Sequence, residues 1–396
     1  MYAYMVKSDK KIEPFNEHPQ DCLIANRKLR DLQRESLEEL GIELKETSHA
    51  SQIHDKNEHL IFNDRLLFTA ELVKEFLAKS RRLKSNTVCA LKPGLTTTRT
   101  IIATQDIQIH PDRIEYDLTY VPAATAPGQR VPVVIDADES VVSILMPKHM
   151  FGEREYNIPM TDRIIIQIDH WANLWAACMG VLLSEGAKLN KVSKIRQLGL
   201  AIKTRAFNRW EVLHHLDRIG RNCDIHPTSY LEFSTIGDNV TVGAGCVIRE
   251  SIVGDGTFIG DNATIELSVL GEGCHIRSGS VISYSTCYPG TFIDCHLVEL
   301  SLCGRDTFIG GGVVLTDFRL DGKHVTVMKG ETMIDTGNTF LGSCIGHGVY
   351  LGAGSIVAPG RAIPNGMHLV PEVSRIITNC TPEDIPGYRR LNQSGK

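Results

Sequence analysis

STIGDNVTVGAGCVIRE (234–250), SIVGDGTFIGDNATIEL (251–267) and SVLGEGCHIRSGSVISY (268–284) align without a gap at a period of 17 residues. STCYPGTFIDCHLVEL (285–300) is one residue shorter, and SLCGRDTFIGGGVVLTDF (301–318) restarts the pattern. Within the repeats an aliphatic residue, often followed by Gly, returns about every six positions: Ile236, Val242, Ile248, then Val253, Ile259, Ile265, then Leu270, Ile276. A fixed period means one supersecondary unit stacked on copies of itself. This one suits three short strands per turn of a triangular prism, with aliphatic side chains inside and Gly, Asn or Asp at corners that need positive φ. After an interruption the ladder resumes at Leu341-Gly342, Ile345-Gly346, Leu351-Gly352, Val357 and Ile363, and it ends in Pro364-Asn365-Gly366. The expectation is a parallel β-helix of about seven coils.

A chain of 396 residues has room for two domains, and the repeat claims the second. The expected layout is an α/β domain over 1–190, a helical connector over 191–222, the β-helix over 223–380 and a tail over 381–396. The net charge of −5 gives no general attraction to nucleic acid. No apolar run approaches the ~18 residues of a membrane span, and the opening MYAYMVKSDKK lacks the apolar core of a signal peptide. The eleven cysteines form no CxxC pair. They read as reduced structural thiols of a cytoplasmic protein, with Cys246, Cys274, Cys295 and Cys344 inside coils.

In the first half, NRKLRDLQRESLEELG (26–41) places Leu29, Leu32, Leu37 and Leu40 near helical spacing and stops at a glycine. Leu60 to Phe62 is a short apolar run ended by Asn63-Asp64, and TAELVKEFLAKS (69–80) reads as a second helix. Val88 to Leu91, Thr100 to Ala103 and Val131 to Ile135 read as strands, and strands alternating with helices favour an α/β layer.

The coils resemble the left-handed β-helix of hexapeptide-repeat acyltransferases. That resemblance implies a homotrimer with acetyl-CoA, or another acyl-CoA, held between subunits. HLIFNDRLLFTAELVKEF (59–76), NRKLRDLQRESLEELGI (26–42) and WANLWAACMGVL (171–182) are similar to segments of sugar-1-phosphate nucleotidylyltransferases. The order of the two parts resembles the bifunctional enzymes that make UDP-N-acetylglucosamine. The resemblance puts Asp64 at the aspartate that holds Mg2+. The family's glycine-rich phosphate loop, however, has no counterpart in the first 25 residues, which contain no glycine. The first domain is therefore expected to be degenerate, keeping at most a pocket for sugar or nucleotide.

DCHLVELSLCG (294–304) resembles the coil that supplies the family's catalytic histidine, which implies His296 as general base, with Glu299 placed to orient it or the acceptor. TDFRLDGKHVTVMKGETMIDTGNTFLGSCIGHG (316–348) is similar to the loop that follows in the archaeal-type enzymes. There Lys323 matches a lysine that would grip phosphate, Thr326 replaces a second lysine, and Asp317 replaces an asparagine. An ionised aspartate accepts hydrogen bonds and repels an oxyanion, so Asp317 is expected either to act as a second base or to impair transfer. His347 and His275 read as corner histidines. The implied activity is acyl-CoA-dependent transfer to an amino sugar, sugar phosphate or nucleotide sugar. The alternatives are a non-catalytic trimeric sugar-nucleotide-binding or scaffold protein and, third, an active nucleotidylyltransferase.

Overall fold

A computed structural model describes residues 1–124, 128–138, 140–151, 155–190 and 216–372. The expected helical connector and the C-terminal tail lie almost wholly outside the described residues.

The N-terminal domain is built on a mixed sheet. Its strands run in the order Val131–Ile135, Thr87–Leu91, Ile114–Val121, His59–Asn63, Tyr2–Val6, Glu43–Thr47. Ile114–Val121 is antiparallel to both its neighbours, whereas Tyr2–Val6 is parallel to the strands on either side of it. Two amphipathic helices, Leu29–Glu38 and Ala70–Leu83, turn Leu32, Leu37, Leu72 and Phe76 inward. Thr100–Ala103 differs from the strand expected there. Ile101 takes a left-handed φ of 56° and a short 3-10 turn covers Ile102–Thr104. The Gln105 side chain donates to the Thr100 carbonyl (2.8 Å) and Asn173 Nδ2 donates to Thr104 Oγ1 (2.9 Å), so local side chains replace a ladder while Ile101 is fully buried.

The second domain is the left-handed β-helix the repeat predicts. Two faces each carry eight stacked strands and the third carries five, continued by Val314–Leu315 paired with Ile356–Val357. Among the described residues the ladder has eight rungs rather than about seven, with Arg218–Ile219 pairing ahead of the first full repeat. Ile236, Ile259, Ile276, Ile293 and Ile309 fill the interior.

The corners are solved in two ways. One uses Asn239, Gly256, Gly273 and Gly290, all with positive φ as expected. Another places bulky residues in the left-handed region: Phe233, Glu250, Leu267, Tyr284 and Leu300, with φ between 43° and 49°. Each such L-residue costs roughly 1–2 kcal/mol. A serine column beside this corner offsets that cost. Ser251, Ser268, Ser285 and Ser301 each donate to the carbonyl two residues back (2.6–2.8 Å). The same hydroxyls of Ser251, Ser268 and Ser285 accept the backbone N–H of the next serine up the stack at 3.1 Å. The corner can therefore carry large side chains, and Leu267, Tyr284 and Leu300 among them pack against the core shared with the N-terminal domain.

The two domains share a core. Helix Trp171–Asn190 has no polar stripe over its first three turns because it is covered on both sides: Trp171, Leu174 and Cys178 pack in one cluster with Val269, Tyr288 and Leu302 of the prism. Buried Tyr288 bridges the interface, its hydroxyl accepting from Leu23 N (3.1 Å) and donating to Leu23 O (2.8 Å). Trp175 Nε1 donates to Tyr284 O (2.8 Å), and Asn26 Nδ2 to Leu270 O (2.7 Å).

Ser268→Ala leaves the buried Ser285 N–H without its partner, while the Glu266 carbonyl keeps the Tyr284 N–H, so urea unfolding should show a loss of ~1–3 kcal/mol. An unchanged midpoint would show that the serine column does not hold the corner.

Candidate functional site

In an open α/β sheet ligands bind at the carboxyl ends of the strands where the chain reverses its order. Here that crevice lies past Val6 and Asn63, and it is filled by the protein's own side chains. Asp64 is buried, and its carboxylate accepts from Ser8 N (2.9 Å) and Ser8 Oγ (2.8 Å). Beside it the buried carboxylate of Asp169 pairs with Lys10 (2.9 Å) and Arg65, and also takes the Gln167 amide (2.9 Å). Lys10 also reaches Asp106, as does Lys329 at 2.6 Å. Burial acts to raise the Asp106 pKa, but Lys10 and Lys329 outweigh it and hold the group at about 2. Fixed cations thus meet Asp169 and Asp106, Ser8 occupies the Asp64 carboxylate, and among the described residues no group of three or more His, Cys, Asp or Glu is placed to hold a metal ion. The residues around Asp64 do not fit a Mg2+ site.

Lys329 comes from the prism. The interruption in the repeat, expected to protrude, folds as a hairpin of Thr326–Lys329 and Thr332–Asp335 against the N-terminal domain. Val325 and Val327 are fully buried in the shared core, and Lys329 also donates to Thr104 O (2.8 Å). Met328 O lies 3.0 Å from Nε2 of His170, whose Nδ1 accepts from Ala172 N. Burial lowers the His170 pKa to about 4, which keeps the ring neutral and the hairpin seated. Lys323 is exposed on the turn before the hairpin, where Asp321 binds Arg319 and the Lys323 N–H.

The docking leaves a cavity of about 560 Å3 between the helix Trp171–Asn190, the strand Glu155–Met160 and the bulky corner of the prism. Ile158, Ile166, Met179, Leu267, Tyr284 and Phe340 give it apolar walls. Glu299 and Asp317 lie in its lining on the prism side. Burial raises the Glu299 pKa, with Asp317 and Glu266 adding to the rise, and burial also raises that of Asp317. Among the described residues neither carboxylate has an ion-pair partner; Asp317 takes only its own backbone N–H. Arg99 also lines the cavity, but its guanidinium lies 4.0 Å from the Tyr156 ring and donates to Asn338 Oδ1 (2.8 Å). Tyr284 is pushed up to about 12 by burial and then by Glu266, Glu250 and Glu299.

Glu299 and Asp317 therefore come together, Lys323 and Asp64 lie apart from them, and His296 is exposed immediately before Leu297, whose side chain lines the cavity. His347 has a structural setting. Its Nδ1 accepts from Arg305 N (2.9 Å), its Nε2 is 3.2 Å from Glu17, and Phe15 stacks on the ring at 4.7 Å. His275 is sandwiched between Phe258 and Phe292 at 4.6 and 4.5 Å. Arg99 carried no motif, and the resemblances of 171–182 and 316–348 gave no sign that the helix Trp171–Asn190 and Asn338 meet at this cavity. Only the helix's unbroken apolar character signalled contact on two sides.

Residues 212–299 match the family described as the GMPPB C-terminal domain, 88 of the 396 residues (299 − 212 + 1 = 88). No curated protein matches the chain. Among solved structures the chain is similar to a hexapeptide transferase family protein from Anaplasma phagocytophilum. The two are 18% identical over 38% of this chain and 72% of that one, with a TM-score of 0.24. That likeness carries no argument about chemistry, which rests on the site's own geometry. No helix among the described residues is long and apolar enough to cross a membrane.

The depressed Asp106 pKa stabilises the folded state above its ordinary value of 3.8, and the contribution is lost as pH falls toward about 2. Asp106→Asn should flatten the loss of stability between those values in urea melts. An equally steep acid dependence in the variant would place the sensitivity elsewhere.

Proposed function

We propose that the chain is an acyl-CoA-dependent transferase, acetyl being the simplest group, with its reaction centre where His296, Glu299 and Asp317 approach the cavity. The observation that carries this reading is the pair Glu299 and Asp317: two half-buried carboxyl groups in the cavity lining, both raised in pKa, with no ion-pair partner among the described residues and with exposed His296 three residues before Glu299. A carboxyl group shifted toward neutrality can take and return a proton during transfer. Once it has taken that proton, Asp317 can donate its O–H to a tetrahedral oxyanion, which an ionised aspartate cannot do. The roles are His296 as base toward the acceptor, Glu299 orienting the acceptor, and Asp317 as donor to the oxyanion.

Exposed Lys323 has no side-chain partner among the described residues and is available to a CoA phosphate. The resemblance of the chain supports an amino sugar, sugar phosphate or nucleotide sugar as acceptor, and a homotrimer as the assembly. A column of partly exposed rings on one prism face, Phe258, His275, Phe292, Phe308, Tyr350 and His368, supports assembly and equally favours the second reading, a non-catalytic trimeric sugar-nucleotide-binding or scaffold protein. Active nucleotidylyl transfer is the third reading; the ion pairs that fill the strand-end crevice weigh against it.

Calorimetric titration with acetyl-CoA separates the first two readings. Saturable binding is expected, and its absence leaves the scaffold. His296→Ala should abolish acyl transfer while the sedimentation coefficient stays unchanged; a loss of assembly instead would make His296 structural. Asp317→Asn should raise the rate at neutral pH, because an amide donates at any pH, and a lower rate would give the carboxyl group a role of its own.

A further inference from the structure

We infer that the cavity between the two domains is a binding site for an apolar amine: a hydrocarbon body enclosed by the cavity walls, with its ammonium group on Glu299 and Asp317. At about 560 Å3 the cavity falls within the range of ~300–1,000 Å3 usual for small-molecule sites. Most of its wall is apolar, with side chains such as Ile166, Met179, Leu267 and Phe340, against which a hydrocarbon body is removed from water. An apolar ligand loses nothing there and gains contact.

The polar end of the site specifies the head group. Glu299 and Asp317 lie together in the cavity lining without a cation among the described residues, and the Glu266 carboxylate adds to the negative field at Glu299. Carboxylates held close in a desolvated setting are favoured by an ammonium group brought between them. Arg99, the cation in the lining, is already engaged by the Tyr156 ring, by Asn338 Oδ1 and by the Asn157 carbonyl (3.1 Å), and it does not perturb either carboxyl group. The left-handed corner residues Leu267, Tyr284 and Leu300 hold backbone conformations that bulky residues rarely adopt, and all three contribute to this cavity. Strain of that kind is retained where the surrounding structure over-determines it.

The inference does not require acyl transfer. If transfer occurs, the bound ammonium first gives one proton to a carboxylate of the pair; the amine so formed attacks the thioester carbonyl, the C–N bond forms, the C–S bond breaks, and the second nitrogen proton passes through the base to the departing thiolate, which leaves as the CoA thiol.

The test is calorimetric titration of the full chain with octylamine, octanol and octanoate, each below its micelle concentration. Octylamine should bind with one molecule per chain and about tenfold or more tighter than octanol, as expected for hydrogen bonds to charged groups. The isosteric double change Glu299→Gln with Asp317→Asn should remove that preference while octanol binding and the circular dichroism spectrum stay unchanged. Equal binding of amine and alcohol, tighter binding of octanoate, or uptake without a fixed stoichiometry would each overturn the proposal. The acetyl-CoA titration is separate, so failure of transfer and failure of this site are distinguishable.

Discussion

The apolar seam between the N-terminal domain and the prism is the constraint on which the rest of the molecule depends. Trp171, Leu174, Tyr288, Leu302, Val325 and Val327 form one buried cluster drawn from both domains. Burial of apolar surface on this scale is the dominant favourable term in folding. It requires the helix Trp171–Asn190 to be apolar on more than one side, and it requires the prism to present large side chains at one corner. The backbone answers the second demand with the left-handed residues Leu267, Tyr284 and Leu300, held by the serine column.

The same seam divides the chemistry of the molecule. On the side of the sheet crevice, the docked hairpin delivers Lys329 to Asp106, while Lys10 and Arg65 meet Asp169. A crevice whose carboxylates are already paired with fixed cations has little left to offer a metal ion or a phosphate. On the prism side, the seam leaves a cavity in whose lining Glu299 and Asp317 have no ion-pair partner among the described residues. Charge is satisfied in the first place and left unsatisfied in the second, and unsatisfied charge beside an enclosed apolar volume is where a ligand gains most.

Much of the fold was legible in the residues. The 17-residue period showed the prism, its interior positions and one of its corners, because a coil that buries aliphatic residues at fixed steps leaves no other phase. The glycine-free N-terminus likewise pointed to a first domain without a phosphate loop. Two local readings differed from the structure for nameable reasons. Thr100–Ala103 has the composition of a strand, but Gln105 and Asn173 capture that backbone. The loop after Asp317 is polar enough to stand in solvent, yet Val325 and Val327 anchor it in the shared core.

The sequence by itself determined what repeats or alternates: the β-helix, the α/β character of the first domain, and a coil carrying His296, Glu299 and Asp317 as candidates. Only the tertiary structure decided which candidates meet. It joined Glu299 with Asp317, left His296 exposed and outside the cavity lining, set Lys323 on an outer turn and tied Asp64 to Ser8. The physical reason is that periodicity records the contacts each coil makes with the next, at a separation of 17 residues. The contacts between domains join residues more than a hundred positions apart, such as Trp175 with Tyr284, and leave no period to read.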